Sequence, residues 1–266
     1  MLAVIASACT SNRGQATPTS SAHDPTTSTA VPATTPPTSP TTTTPPPPTT
    51  TTTKPRPPTT TTTVGVTGAK LSVGSTGPAV LALQKRLVSL GYWLGTPDGV
   101  YGDSTQQAVY ALQKAAGIGR DGIAGPITDG ALRKGVVPHP RSTAGYVIEV
   151  DLEDDLVMFV NNGKLEYVLN TSTGGGYTYS DGGGGTAIAI TPTGLFHTYR
   201  EVDGLVTDYL GQLWMPKYFT GGFAIHGDSY VPPEPVSHGC VRVSDEAIEW
   251  IWANNLDPIG TTVWVY

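Results

Sequence analysis

Two short strings hold the residues best able to do chemistry, Ile225-His226-Gly227-Asp228 and Val236-Ser237-His238-Gly239-Cys240-Val241-Arg242. Cysteine is a strong nucleophile near neutral pH once it is a thiolate. A free thiol has a pKa of ~8.5, and a neighbouring imidazole can lower it by several units. Gly239, just before the thiol, removes a side chain and lets a substrate approach. Backbone N–H groups around such a turn can form an oxyanion hole, with a donor worth roughly 3 kcal/mol in comparable sites. Residue types and spacing leave three readings open. Cys240 with a histidine base would make an acyl-transfer centre. His226, His238, Cys240 and Asp228 would make a zinc site, although the Cys-x-x-Cys or His-x-x-x-His clustering of common zinc sites is absent. A buried structural cysteine beside two hydrogen-bonded histidines is the third.

The elements that must position these residues are mostly strands. Tyr146–Leu152 alternates, Leu156–Val160 is a short apolar run, and Leu165–Asn170 answers it across Asn162-Gly163. Asn-Gly is a hairpin signal because both central residues of the turn take positive φ. Further strands are expected at 187–190, 195–199, 223–225 and 261–266, with a helix N-capped by Ser244 and running to about Asn254. The Gly-rich stretch 174–185 lacks the Lys-Ser/Thr of a phosphate loop, which excludes nucleotide binding.

Upstream lies a helical unit. Val80, Leu83, Leu87 and Leu90 recur at helical spacing after Pro78, and Ala108, Val109, Leu112 and Ala116 repeat the pattern behind an N-cap at Asp103 or Ser104. A short third helix is expected from Pro126 through Leu132. Asp98-Gly99-Val100-Tyr101-Gly102 recurs as Asp121-Gly122-Ile123-Ala124-Gly125, each copy preceding a helix start.

Residues 17–63 are nearly all Thr, Pro, Ser and Ala and cannot bury enough to offset their ordering entropy. As a polyproline-II spacer they would reach on the order of 150 Å. The net charge of −6, with no Lys/Arg cluster, argues against nucleic acid and against a polybasic membrane patch. The two cysteines, Cys9 and Cys240, flank this spacer and read as single residues with separate roles. Ile5-Ala6-Ser7-Ala8-Cys9 resembles a bacterial lipobox, which implies cleavage before Cys9, lipidation of its thiol and membrane anchoring.

Two larger resemblances follow from the motifs. Gly74-x-x-Gly77-x-x-Val80-x-x-Leu83-Gln84-x-x-Leu87, Gly91-Tyr92, Asp98-Gly99-x-Tyr101-Gly102, Ala108-Val109-x-x-Leu112-Gln113 and Asp121-Gly122-x-x-Gly125-Pro126 resemble the three-helix peptidoglycan-binding module found beside many wall enzymes. Ile-His-Gly followed by Ser-His-Gly-Cys-Val-Arg resembles the signature of the L,D-transpeptidase catalytic domain of YkuD-type fold. Ser172-Thr173-Gly174 and Thr191-Pro192-Thr193-Gly194 match its strand-end motifs. The expected fold is therefore a small three-helix domain (68–137) followed by a mainly β, sandwich-like domain with one main helix (144–266). A signal remnant (1–9) and a Thr/Pro linker (10–67) would precede them.

The resemblance implies Cys240 as nucleophile and His226 as general base, with the Gly227 carbonyl orienting the imidazole. His238 and Gly239 would supply oxyanion amides with that of Cys240, and the His238 ring would shape the pocket. Ser237 and Arg242 would fix the turn or hold a substrate carboxylate. Tyr209, Trp214, Met215 and Phe219 would line a substrate groove or else belong to the core. The implied partners are peptidoglycan stem peptides and glycan, with carbapenem-type β-lactams as inhibitors and no cofactor or metal. The chain departs from the pattern in the short interval from His226 to Ser237 with its proline-rich Val231–Val236, in Val243-Ser244 after Arg242, and in placing His197 beside Phe196.

Overall fold

The computed structural model describes residues 70–266; the lipobox, Cys9 and the Thr/Pro tract lie outside the described residues. Three helices come first: α1 (Pro78–Ser89), α2 (Asp103–Ala115) and α3 (Pro126–Lys134). Each starts directly after a glycine, Gly77, Gly102 or Gly125, with no side-chain cap. Asp103 therefore sits in the first turn of α2 and complements its dipole, where the sequence had suggested a cap. Pro78 and Pro126 occupy first-turn positions, where a missing N–H costs nothing.

The internal repeat has a physical basis in two buried glutamines. The Gln84 amide nitrogen donates to Asp98 Oδ1 (2.9 Å) and Thr105 Oγ1 (3.0 Å), and its Oε1 accepts from the Gly99 amide (2.7 Å). Gln113 repeats this with Asp121 Oδ1 (2.7 Å), Thr128 Oγ1 (3.0 Å) and the Gly122 amide (2.9 Å). Each glutamine ties its own helix to an Asp-Gly turn and to the helix that follows. Buried amides are tolerable because their donors and acceptor are used.

Twelve strands and one helix follow. β1 (Tyr146–Asp151), β2 (Leu156–Asn161), β3 (Lys164–Asn170), β6 (Gly194–His197) and β12 (Thr262–Val265) form one sheet in the order β3-β2-β1-β12-β6. β7 (Arg200–Glu201), β8 (Leu205–Asp208), β9 (Gly211–Thr220), β10 (Phe223–Asp228) and β11 (Val241–Ser244) form a second, in which β11-β10-β9-β7 are neighbours and β8 also pairs with β9. β4 (Thr178–Ser180) and β5 (Thr186–Ile188) make a separate hairpin, and α4 (Asp245–Ala253) follows β11. The β2–β3 turn holds Asn162 and Gly163 at φ 49° and 78°, as Asn-Gly requires.

The apolar run of β2 is buried on both faces. Val157 and Phe159 enter the core between the sheets with Ile225, Val241, Val243 and Ile248. Leu156, Met158 and Val160 face the other way, into a core shared with Leu83, Leu87, Val109 and Leu112 of the helices. The helical segment thus packs directly on the first sheet. Phe219 and the partly buried Trp214 and Met215 belong to the inter-sheet cluster. His197 is exposed on β6.

Candidate active site

β10 and β11 run parallel and place His226 beside Arg242 and Ile225 beside Val241. Side chains alternate along each strand. Ile225, Val241 and Val243 therefore enter the inter-sheet core, whereas Ala224 and Cys240 meet Leu213 and Tyr218 on the opposite face of the sheet. By the same alternation His226 and Arg242 belong to the Cys240 face. The sequence's alternation of apolar and reactive residues thus gives one sheet a structural side and a chemical side.

His226 is 3% exposed, and its Nδ1 lies 2.8 Å from the Gly227 carbonyl oxygen. A carbonyl can only accept, so Nδ1 carries the proton and Nε2 keeps its lone pair. Burial, the largest cause, lowers the pKa of this imidazole to about 4, against the opposing pull of the Gly227 carbonyl. Cys240 is a half-buried free thiol. Desolvation pushes it up to about 11, partly offset by the Ala224 amide. At neutral pH the thiol and imidazole are both uncharged, where the sequence alone suggested an imidazole-lowered thiol. Shifts in these directions favour an uncharged resting state over a thiolate–imidazolium ion pair.

The Ser-His-Gly-Cys turn is locked from within. Ser237 Oγ donates to the Cys240 carbonyl (2.6 Å) and accepts from the Gly239 amide (2.9 Å). Ser237 is thus a turn organiser. The Gly239 amide is thus engaged by Ser237, which bears on its expected place among the oxyanion donors. Gly239 matters through its missing Cβ: at φ 135°, an added one would stand 2.5 Å from Phe223 and 2.7 Å from the Ile190 carbonyl oxygen. Its own carbonyl accepts from Thr191 Oγ1 (2.8 Å), which gives the Thr-Pro-Thr-Gly motif a structural reason. Gly227 is likewise a close-approach glycine, because a Cβ there would meet Ile248 at 2.6 Å and Asp245 at 2.7 Å.

His238 packs edge-on against Tyr179 (4.7 Å) and Tyr177 (5.6 Å). Burial, then Arg242, lowers its pKa. The two tyrosines come from the Gly-rich stretch, and sequence reasoning overlooked them beside the more obvious glycines. Arg242 is held by an ion pair, Nε to Asp228 Oδ2 at 3.1 Å, both side chains partly buried. Asp228 is thereby a partner of arginine, not a converging fourth ligand. Among the described residues no three His, Cys, Asp or Glu side chains are grouped to hold a metal ion.

Of the expected groove residues, Tyr209 is exposed at the tip between β8 and β9, its ring 3.0 Å from where a Cβ on Gly182 would lie. Trp214 and Met215, left open between groove and core by the sequence, are partly buried and make structural contacts. Trp214 donates from Nε1 to Glu249 of α4 (3.1 Å). Met215, at φ 48°, sits where β9 carries an extra residue opposite β10, and its carbonyl accepts from Trp252 Nε1 (2.8 Å). That β-bulge re-aims the strand.

Comparison with known proteins assigns both domains. Residues 145–265 match the L,D-transpeptidase catalytic domain, and residues 76–132 match a peptidoglycan binding domain. The chain is 49% identical to an L,D-transpeptidase of known structure from Xylanimonas cellulosilytica, over 74% of this chain and 97% of that one, with a TM-score of 0.71. An L,D-transpeptidase from Stackebrandtia nassauensis is 24% identical over 74% and 94% of the two chains, with a TM-score of 0.43. The chain is also 53% identical over 68 residues to the N-acetylmuramoyl-L-alanine amidase CwlL of Bacillus licheniformis, 25% of this chain and 19% of that protein. It spans about 19% of the length of each of the two curated relatives it matches. The chain belongs to the L,D-transpeptidase family and carries a peptidoglycan-binding domain ahead of the catalytic one.

Proposed function

We propose that the chain is an extracytoplasmic peptidoglycan L,D-transpeptidase that forms 3→3 cross-links through a Cys240 thioester. One observation carries the reading: a neutral imidazole, anchored through Nδ1 to the Gly227 carbonyl, shares a sheet face with a free, half-buried thiol. His226 Nε2 takes the Sγ proton as sulfur attacks the carbonyl joining the L-centre of stem residue three to D-Ala. The amides of Cys240 and His238 stabilise the oxyanion, since Ser237 occupies that of Gly239. The imidazolium returns its proton to the departing D-Ala amine as the thioester forms. A diamino-acid side-chain amine on a second stem then attacks, losing a proton to His226 and regenerating the thiol.

Water as acceptor would give L,D-carboxypeptidase activity at the same site, and a protein amine would give protein attachment. A zinc peptidase is disfavoured because Asp228 is engaged with Arg242. Cys9 would be the lipid anchor and the Thr/Pro tract the spacer into the wall. The helical module would hold the enzyme on glycan strands.

The test is incubation with a disaccharide-tetrapeptide donor, followed by mass spectrometry. Equal amounts of D-Ala and of a 3→3 dimer, both lost in Cys240→Ala, are expected. D-Ala with monomeric tripeptide alone would make the enzyme a carboxypeptidase. Activity that survives Cys240→Ala and falls with chelator would overturn the reading.

A further inference from the structure

We propose that Lys114 of α2 is a positioning residue for the Cys240 turn, which makes the peptidoglycan-binding module part of the reactive-site scaffold. The inference rests on reading Cys240 as the nucleophile. Lys114 is fully buried, with 0% exposure. Its ammonium donates to the Thr171 carbonyl (2.7 Å), the Asp155 carbonyl (2.9 Å) and Asp155 Oδ2 (3.3 Å). Three N–H donors meet three oxygens, so the group is fully used. The second carboxylate oxygen of Asp155 accepts from the Thr173 amide (3.1 Å) and from Thr173 Oγ1 (2.7 Å). One lysine and one aspartate thereby fix both ends of the segment Thr171–Thr173.

That segment is the rail on which the reactive turn hangs. The Thr173 carbonyl accepts from the Ser237 amide (2.9 Å) at the start of the turn. Ser172 exchanges backbone bonds with Arg242 just past its end (3.2 and 3.1 Å), and Thr171 Oγ1 donates to the Arg242 carbonyl (2.7 Å). The path Lys114–Asp155–Thr173–Ser237 links the helical module to the nucleophile's turn through consecutive hydrogen bonds. The module also props the proline-rich segment between the two reactive strings: Gln107 donates to the Val231 carbonyl (3.0 Å) and Arg120 to the Pro233 carbonyl (3.3 Å). A buried ion pair is an inefficient way to fasten a helix to a sheet, because apolar residues of similar volume often serve as well or better. Directional bonds into Thr171–Thr173 are what the charged pair adds.

The test uses the full chain carrying Lys114→Met, Lys114→Arg or Thr173→Val. It reads the saturating rate of carbapenem acylation, the drug concentration for half-saturation and the unfolding midpoint. A displacement of the turn of about 1 Å predicts an acylation rate roughly 10- to 100-fold lower in K114M, with half-saturation little changed. K114R recovers a large part of that loss. A folded K114M that acylates at the wild-type rate overturns the proposal. Should K114M fail to fold, T173V decides, with a rate lowered by about 5-fold or more expected and a wild-type rate overturning it. Failure of the wild type itself to acylate would instead strike the reading of Cys240, and this inference with it.

Discussion

The helical module and the Cys240 turn both bury polar groups, but they spend them differently. In the module, Gln84 and Gln113 close their hydrogen bonds on neighbouring turns and helix starts, leaving nothing for a ligand. In the turn, Ser237 consumes the Gly239 amide and a carbonyl, yet a thiol with only a long contact to the Gly222 carbonyl (3.9 Å) and the Nε2 of a neutral imidazole remain. Stability comes from closing the network, and chemistry from stopping short of closure. The two regions meet at Lys114, where a closed network on the module side holds an open one in place.

Replacement of the open groups should break function before fold. His226→Gln keeps a polar ring-sized side chain but removes the base, and a general base contributes ~10²–10⁴-fold. Cys240 acylation should fall by about three orders of magnitude while the unfolding midpoint moves little. An unchanged rate would dissolve the contrast. Gly239→Ala sits on the boundary between the regions. Its Cβ would press on Phe223 and on the Ile190 carbonyl at positive φ, so about 2–4 kcal/mol of stability should be lost, measured by chemical denaturation. In the closed region, Gln84→Leu would strand the Asp98 and Gly99 amides and cost about 2–3 kcal/mol with acylation per folded molecule unaltered.

The mildest probe is pH. Burial holds the folded His226 near 4, below its unfolded value, so the unfolded chain binds the extra proton first. This contribution to stability is therefore intact above about pH 6.5 and is lost as pH falls towards 4. Acylation should be flat from about pH 6 to 8 and decline below about pH 5. Alkylation of Cys240 by iodoacetamide should keep rising with pH towards about 11, as expected of a neutral thiol. A plateau already reached at acidic pH would mean a resting thiolate–imidazolium pair instead.

Much of this was legible in the residues. The spacing of Val80, Leu83 and Leu87 marks α1, Asn162-Gly163 marks the β2–β3 turn, and Ser237–Arg242 marks the reactive turn. What escaped depended on tertiary partners. The run Leu156–Val160 signals burial but not that its two faces enter two different cores. Nothing in the spacing of α2 announces that Asp155 and Thr171 lie beside Lys114. The bond that occupies the Gly239 amide depends on a hydroxyl two residues away in a folded turn, and spacing carries no trace of it. The contacts of Trp214 and Met215 depend on a β-bulge and on α4, neither of which their spacing reveals.

The most direct test of the central claim is the intact mass of the full chain after exposure to a carbapenem, beside Cys240→Ala. The account predicts one drug mass on the wild type and none on the variant, with a peptide map placing the adduct on Cys240. A folded wild type that stays unmodified, or an adduct that persists in the variant, would contradict it.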